Sequence, residues 1–309
     1  MGSIIGAHLV RAGHSVAMLA RGRRASEIQS DGLRIKGVIE LVTPVQTITD
    51  PKHLGSAEAL IVTTKAIDTP ASLEPLRGAD IGVAFSIQNG VMKNELLARA
   101  FGAHRVLGAL ANTSGELLPS GEVMFTRNVN LLIGELPAGV SERARGIASA
   151  LDAAGVRSSA AADILVHEWS KFACWVGFMG LAITTRVNTW KFLSDPDAAL
   201  VLARLVREVG ELGLACDVAL TDESMLPVAS MCRGSERAAM ESVKALAAGY
   251  RSNAPEHRLS TLQDLEAGRP LEIEETLGYA VGKAVQLGLS LPLLANLYPL
   301  SGAIDRLRR

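Results

Sequence analysis

The sequence predicts two unlike domains, an α/β domain of the Rossmann type followed by an all-helical one, and three observations carry that reading. Short apolar runs of strand length alternate with helical stretches through the first half, the pattern of a doubly wound sheet. After Ala162 no convincing strand follows and the apolar spacing turns helical. The 309 residues, 48% hydrophobic and 20% charged, suffice for two cores and are too apolar for a disordered chain. The boundary is expected near residue 162, which gives domains 1–162 and 163–309.

The opening stretch, MGSIIGAHLVRAGHSVAMLARG, reads as a helix from about Ser3 to Arg11, a stop at Gly13 and a strand at Val16–Leu19. In a βαβ dinucleotide-binding unit, a buried strand and a G-x-G-x-x-G turn come before such a helix. Only the last glycine of that pattern, Gly2, is present, so the first strand of the unit is missing. The functional expectation is a Rossmann unit clipped at its start; the plain alternative is an ordinary amphipathic helix. After the second strand come Arg21, Arg23 and Arg24, where an NAD-binding unit has an acidic residue on the ribose. Arginines in that place suit a 2′-phosphate through bidentate charge-assisted bonds, which favours NADP over NAD. A solvated arginine cluster is the alternative.

Gly32–Ile35 and Leu41–Ile48 read as strands of a small hairpin or edge. Ala59–Thr64 is a dense apolar strand of the kind buried in a parallel sheet, and it ends in Lys65. Leu73–Leu76 belongs to a short helix, and the strand Ile81–Ser86 ends in Gln88-Asn89-Gly90. Val106–Ala111 and Leu131–Ile133 are further strands; a helix at roughly Glu142–Ala154 and a last short segment opening at Val156 complete the domain. Doubly wound sheets bind ligands beyond the carboxyl ends of their strands, where Lys65 and Asn89 both stand. An N-G pair alone is more often just a turn.

Helices are expected at Asp163–Thr185, Ala198–Gly213, Ser224–Ala229, Glu236–Ala248, Ser260–Glu266, Glu272–Gly288 and Pro292–Arg306. The stretch Ile164 to Arg186 is mostly apolar and holds one lysine, Lys171, on a stripe with Trp175, Met179 and Ala182. Burying an ammonium is costly unless it has a task or a partner. The bland reading is a lysine that snorkels at the rim of a core helix.

A net charge of −1 argues against nucleic acid as the main partner. Cys174, Cys216 and Cys232 are scattered and form no C-x-x-C, so no disulfide framework and no metal site is indicated. A cytoplasmic location is the expectation. No signal peptide is expected, and no apolar run reaches membrane-span length.

From Gly2 to about Pro292 the sequence resembles the ketopantoate reductase (2-dehydropantoate 2-reductase) family. The motifs that carry the resemblance are Gly2, Arg11–His14, Ala20–Gly22, the T-K-A of Thr64, Lys65 and Ala66, and the Q-N-G of Gln88, Asn89 and Gly90. They continue with W-x-K at Trp169 and Lys171, and with a long motif through Ser260, Leu262, Gln263, Asp264, Gly268, Arg269, Glu272 and Ile273. The resemblance implies reduction of a 2-oxo acid by NADPH, making pantoate on the route to pantothenate and coenzyme A. It also implies a helical domain of the 6-phosphogluconate dehydrogenase-like type and an active site in a cleft between the domains. Its expected partners are a small 2-oxo acid and, as an option, a second copy of the chain.

By the same resemblance, Lys171 is the general acid that protonates the carbonyl oxygen, and Glu272 supports lysine and substrate. Ser260 binds the substrate carboxylate. Lys65 and Asn89 contact cofactor and substrate, and Gly2, Arg21 and Arg24 belong to the cofactor site. Hydride addition builds negative charge on oxygen, which a positioned ammonium both stabilises and protonates. Burial lowers a lysine pKa toward working pH while a nearby glutamate raises it. Gln263 and Asp264 read as the polar side of an amphipathic helix. Three positions depart from the family pattern: Trp175, Met179 and His257 stand where the family has asparagines. The first two remove hydrogen bonds and narrow the pocket, so another, more apolar 2-oxo acid is an alternative substrate. His257 reads equally as a carboxylate ligand or as a loop histidine. A non-catalytic NADP-binding or sensor protein is the rival from another class, motivated by the missing strand.

Overall fold

Residues 1–308 are described in a computed structural model, and they fall into two units. The first is formed by Met1–Gln88 and Lys93–Leu165, the second by Asn89–Met92 and Val166–Arg309. The chain thus leaves the first unit after Gln88, gives four residues to the second, and returns with Lys93.

In chain order the first unit runs α1 (Gly2–Arg11), β1 (Ala17–Leu19), α2 (Gly22–Asp31), β2 (Leu33–Gly37), β3 (Leu41–Thr43), β4 (Gln46–Ile48) and β5 (Ser56–Val62). It continues with α3 (Thr69–Leu73), β6 (Asp80–Ser86), α4 (Met92–Phe101), β7 (Leu107–Leu117), β8 (Val123–Glu135), α5 (Glu142–Ala153) and β9 (Ser158–Ala160). β1 pairs with β4 and β5 with β6, both in parallel. A parallel bridge from Ala84 to Val106 links β6 to the start of β7. β7 and β8 form a long antiparallel hairpin; β2 and β9 flank β8 in parallel, and β3 closes antiparallel on β2. The result is an α/β unit in which parallel pairs adjoin a mixed sheet.

Helix α4 is an addition to the sequence reading, and two further departures have simple reasons. The stretch Leu41–Ile48 is two strands, because Pro44 lacks the N–H that a continuous ladder needs. Its halves pair in different sheets, β3 with β2 and β4 with β1. Helix α2 was not foreseen, since only Ala25 and Ile28 of its ten residues are buried and its apolar stripe is too narrow to show periodicity. The core between sheet and helices joins Ile5 with Phe85, Leu107, Ile133, Leu151 and Val156. Gly134 is needed there: a Cβ on it would lie 2.2 Å from the Ala161 carbonyl oxygen.

The second unit is helical and is built on α6 (Ile164–Thr185), whose first residues still pack in the first unit. α7 (Thr189–Ser194), α8 (Pro196–Ala215), α9 (Val228–Arg233), α10 (Glu236–Asn253) and α11 (Ser260–Glu266) follow. A π-helical turn at Glu274–Gly278 leads into α12 (Tyr279–Gln286), and α13 (Pro292–Leu307) ends the fold. Along α6, Phe172, Ala173, Cys174, Val176, Phe178 and Met179 are all buried, so the helix is apolar nearly all round because neighbours cover it. A Cβ on Gly177 would reach Leu202 of α8 at 2.4 Å, and one on Gly180 would reach Leu297 of α13 at 2.3 Å. Those glycines let both helices press on α6. Asp195 caps α8, Ser235 caps α10, and the two carboxylate oxygens of Glu208 accept from the first N–H groups of α13 at 2.9 Å each. Each such cap contributes about 1 kcal/mol. α9 starts at Val228 rather than Ser224, because the residue before Pro227 is biased away from helical backbone. Among the described residues, no helix is long and apolar enough to cross a membrane.

Candidate active site

In the second unit, α6 holds Lys171 half-buried between the buried pair Ser170 and Phe172. Ser170 fixes this turn: its hydroxyl donates to the Val166 carbonyl oxygen at 2.7 Å and accepts from the Thr221 N–H at 2.9 Å. Trp169 stands edge-on to Phe172 at 5.7 Å, and Phe172 stands edge-on to Tyr279 at 6.2 Å. The lysine stem therefore leaves a stiff aromatic surface. One turn further, Trp175 is also half-buried, whereas Met179 is 1% exposed and is part of the core.

The four-residue excursion Asn89–Met92 belongs to this unit. Gly90 has φ +91°, and a Cβ on it would lie 3.9 Å from both the Phe172 ring and the Glu275 carbonyl oxygen. The Q-N-G turn is thus set against the residue after Lys171 and against the π-helical turn that begins two residues after Glu272. Glu272 itself is half-buried and stands just before the helix that was expected to begin at it. Three motifs far apart in sequence meet here, and the π turn is of a kind often found at functional sites. Nothing in the sequence pattern marks it.

Ser260 is exposed as the first residue of α11, and its hydroxyl makes no hydrogen bond among the described residues. Asp264 is buried and accepts from Arg269 Nε at 2.7 Å, and Gln263 Nε2 donates to the Arg258 carbonyl oxygen at 3.2 Å. Both hold the turn together, as an amphipathic helix's polar side does. His257 is exposed, but its Nδ1 is 2.9 Å from Thr189 Oγ1, its carbonyl oxygen accepts from the Thr189 N–H, and its ring lies 4.9 Å from that of Tyr250. The loop that carries Ser260 is tied to α7 through this histidine.

Sequence reasoning passed over Glu168, 3% exposed and one turn before Lys171, although an acid inside an apolar helix was a visible signal. The Cys174 thiol is pushed up to about 11 by burial, so it stays protonated at neutral pH and is no nucleophile.

In the first unit, a second group of residues gathers at the start of α1. A Cβ on Gly2 would fall 2.5 Å from Thr63 Oγ1, so the helix start is packed flush on the carboxyl end of β5. Arg24 Nη2 donates to Ser3 Oγ at 2.9 Å, while its Nη1 donates to the Gly121 carbonyl oxygen at 2.7 Å and pairs with Glu27. Arg23 is likewise held by Glu27 and by the Pro119 carbonyl oxygen. Arg21 is exposed and makes no side-chain hydrogen bond or ion pair among the described residues. Lys65 is exposed at the end of β5, three residues beyond Val62. Among the described residues, no group of three or more His, Cys, Asp or Glu side chains is placed to hold a metal ion.

Against known proteins, residues 1–138 match the family described as "Ketopantoate reductase PanE/ApbA", and residues 163–305 match "Ketopantoate reductase PanE/ApbA C terminal". A 2-dehydropantoate 2-reductase of Archaeoglobus fulgidus is 30% identical over 289 residues, covering 94% of this chain and 89% of that one. Among solved structures, a 2-dehydropantoate 2-reductase from Methylococcus capsulatus superposes with a TM-score of 0.81 at 24% identity, over 99% of this chain and 94% of that one. A D-mandelate dehydrogenase bound to NADH and anilino(oxo)acetate superposes with a TM-score of 0.85 at 17% identity, over 99% of this chain and 96% of that one. At these identities the two superpositions speak for the fold.

Proposed function

The chain belongs to the ketopantoate reductase family, and on that premise we propose that it reduces a 2-oxo acid, 2-dehydropantoate first, with NADPH. One observation carries the assignment of the site: the Asn89-Gly90 turn lies against Phe172 and the Glu275 backbone, beside Lys171 and Glu272. In this reading Lys171 gives a proton to the carbonyl oxygen of the substrate, the atom on which negative charge develops. Glu272 orients the ammonium and keeps it charged for that step. Ser260, whose hydroxyl has no hydrogen-bond partner among the described residues, hydrogen-bonds the substrate carboxylate, and Asn89 contacts substrate and cofactor. His257 contributes by holding the Ser260 loop.

The residues at the start of α1 fit a pyridine dinucleotide phosphate. Gly2 permits the close approach of helix and strand that a dinucleotide cradle requires, and Lys65 stands at the adjoining strand end. Arg21 offers to a 2′-phosphate a guanidinium without a partner among the described residues, and Arg24, three positions on, is held by Gly121 and Ser3. Bound NADPH supplies the hydride.

The second reading is the same reaction on a more apolar 2-oxo acid, favoured by a half-buried Trp175 one turn from Lys171. The D-mandelate dehydrogenase of similar fold is a relative in shape whose name denotes an aromatic hydroxy acid. Steady-state NADPH oxidation with 2-dehydropantoate and a panel of aliphatic and aromatic 2-oxo acids separates the two. A kcat/KM highest for 2-dehydropantoate supports the first, and one highest for an aromatic acid supports the second. Tight NADPH binding without turnover on any oxo acid would sink both.

A further inference from the structure

The T-K-A and Q-N-G motifs, read separately in the sequence, are cross-linked by buried polar groups that neither motif contains in full. Gln88 is the node, 9% exposed. Its Nε2 donates to the Thr64 carbonyl oxygen at 2.7 Å and to Thr69 Oγ1 at 2.6 Å, and its Oε1 accepts from Ser86 Oγ at 2.9 Å. Thr69, fully buried, passes the connection on by donating to the Lys65 carbonyl oxygen at 3.3 Å. The main chain of Gln88 is held from the other side. Its carbonyl oxygen accepts at 3.0 Å from Lys93 Nζ, which also donates to the Ala109 carbonyl oxygen of β7 at 2.5 Å. Lys93 is 5% exposed on the first turn of α4.

An ammonium buried this deeply costs several kcal/mol unless its hydrogen bonds are made. A methionine would fill the same space without that cost, so cohesion of the core does not require a lysine here. What a lysine does is pin two main-chain carbonyls at a defined separation. We propose that Gln88, Thr69 and Lys93 form a positioning device that fixes Lys65 and Asn89, the residues on either side of the network. Lys65 follows the Thr64 carbonyl held by Gln88 and owns the carbonyl held by Thr69; Asn89 follows the Gln88 carbonyl held by Lys93. The proposal rests on the reading above, in which Lys65 and Asn89 meet cofactor and substrate.

The test is NADPH affinity, read by fluorescence titration and independent of turnover, together with thermal midpoints and kcat/KM. Thr69→Val, which replaces one hydroxyl, is expected to weaken NADPH binding about fivefold, the typical cost of one hydrogen bond. Lys93→Met is expected to weaken it about tenfold, since displacement of a binding group is expensive. Built into Lys65→Ala/Asn89→Ala, Lys93→Met should then add less than about twofold, because its effect travels through residues already removed. Folded Thr69→Val and Lys93→Met proteins that bind NADPH as wild type does would overturn the proposal, as would full additivity in the combined variant. If Lys93→Met does not fold, Thr69→Val decides alone. If Lys65→Ala/Asn89→Ala itself binds and turns over like wild type, the functional reading of those two residues fails and the proposal falls with it.

Discussion

In the proposed reaction, Lys171 is the residue on which the chemistry turns. It stands half-buried on a mostly apolar helix, beside a turn that Ser170 locks from both directions. Replacement by alanine removes a proton donor without opening a large core cavity. The expected result for Lys171→Ala is a fall in kcat of about 10²–10⁴-fold with NADPH affinity unchanged, general acids being worth that much. Equal kcat values would remove lysine from the reaction. Lys171 was legible in the sequence because a charge inside an apolar run has to be explained. Lys93 was not, since it stands among polar residues at a helix start and nothing local distinguishes it from a solvated side chain. Its burial comes from β7, sixteen residues away, through Ala109. Thr189 was hidden for the same reason, its partner His257 being 68 positions distant.

Elements follow the same division. The helix α6, the strand β6 and the helix α11 were read nearly residue for residue, because burial or a clean start signal marks them, whereas β5 runs Ser56–Val62 instead of Ala59–Thr64 and only Val62 of it is buried. The π-helical turn left no trace, because a single added residue per turn does not disturb an apolar pattern as short as this one. β7 and β8 extend further than the apolar runs Val106–Ala111 and Leu131–Ile133, since beyond them come polar pairs, Thr113 with Asn128 and Ser114 with Arg127, whose strand character comes from each other. One close approach within these elements is open to measurement. At Gly134, the atom in the way of any side chain is the Ala161 carbonyl oxygen, which backbone pairing between β8 and β9 cannot release. Gly134→Ala should lower unfolding stability by about 1–3 kcal/mol, the usual cost of overpacking. Gly146→Ala, where a Cβ meets nothing within 4 Å, is the control and should be neutral or stabilising in chemical denaturation.

For the whole molecule, stability should follow pH through a few carboxylates. The Arg143 guanidinium, bonded at 2.7 Å and 2.6 Å, holds the Glu135 carboxyl below its ordinary range. The folded state then binds its proton more weakly than the unfolded chain does. The stabilisation is complete above the ordinary carboxylate range and is lost as pH falls through the lowered pKa. The Asp222 carboxyl, lowered by the Ser230 hydroxyl and N–H, acts in the same direction in the second unit. Glu135→Gln should therefore be less stable than wild type at pH 7 and converge with it in acid, as followed by urea midpoints across pH. A constant difference at every pH would refute the linkage.

The excursion at Asn89–Met92 has a consequence for how this protein can be divided. Because the chain crosses three times between its units, no single cut yields two self-sufficient pieces. A gene fragment starting at Val166 would encode every helix of the second unit except the small plug of main chain beside Phe172 and the π turn. Such a fragment should be poorly ordered around that aromatic surface, with broad amide NMR signals for α6 and α12. A peptide spanning residues 88–93 should sharpen them. In evolutionary terms, the helical half is expected not to be a portable cassette. Any exchange of it between relatives has to carry the Q-N-G turn along.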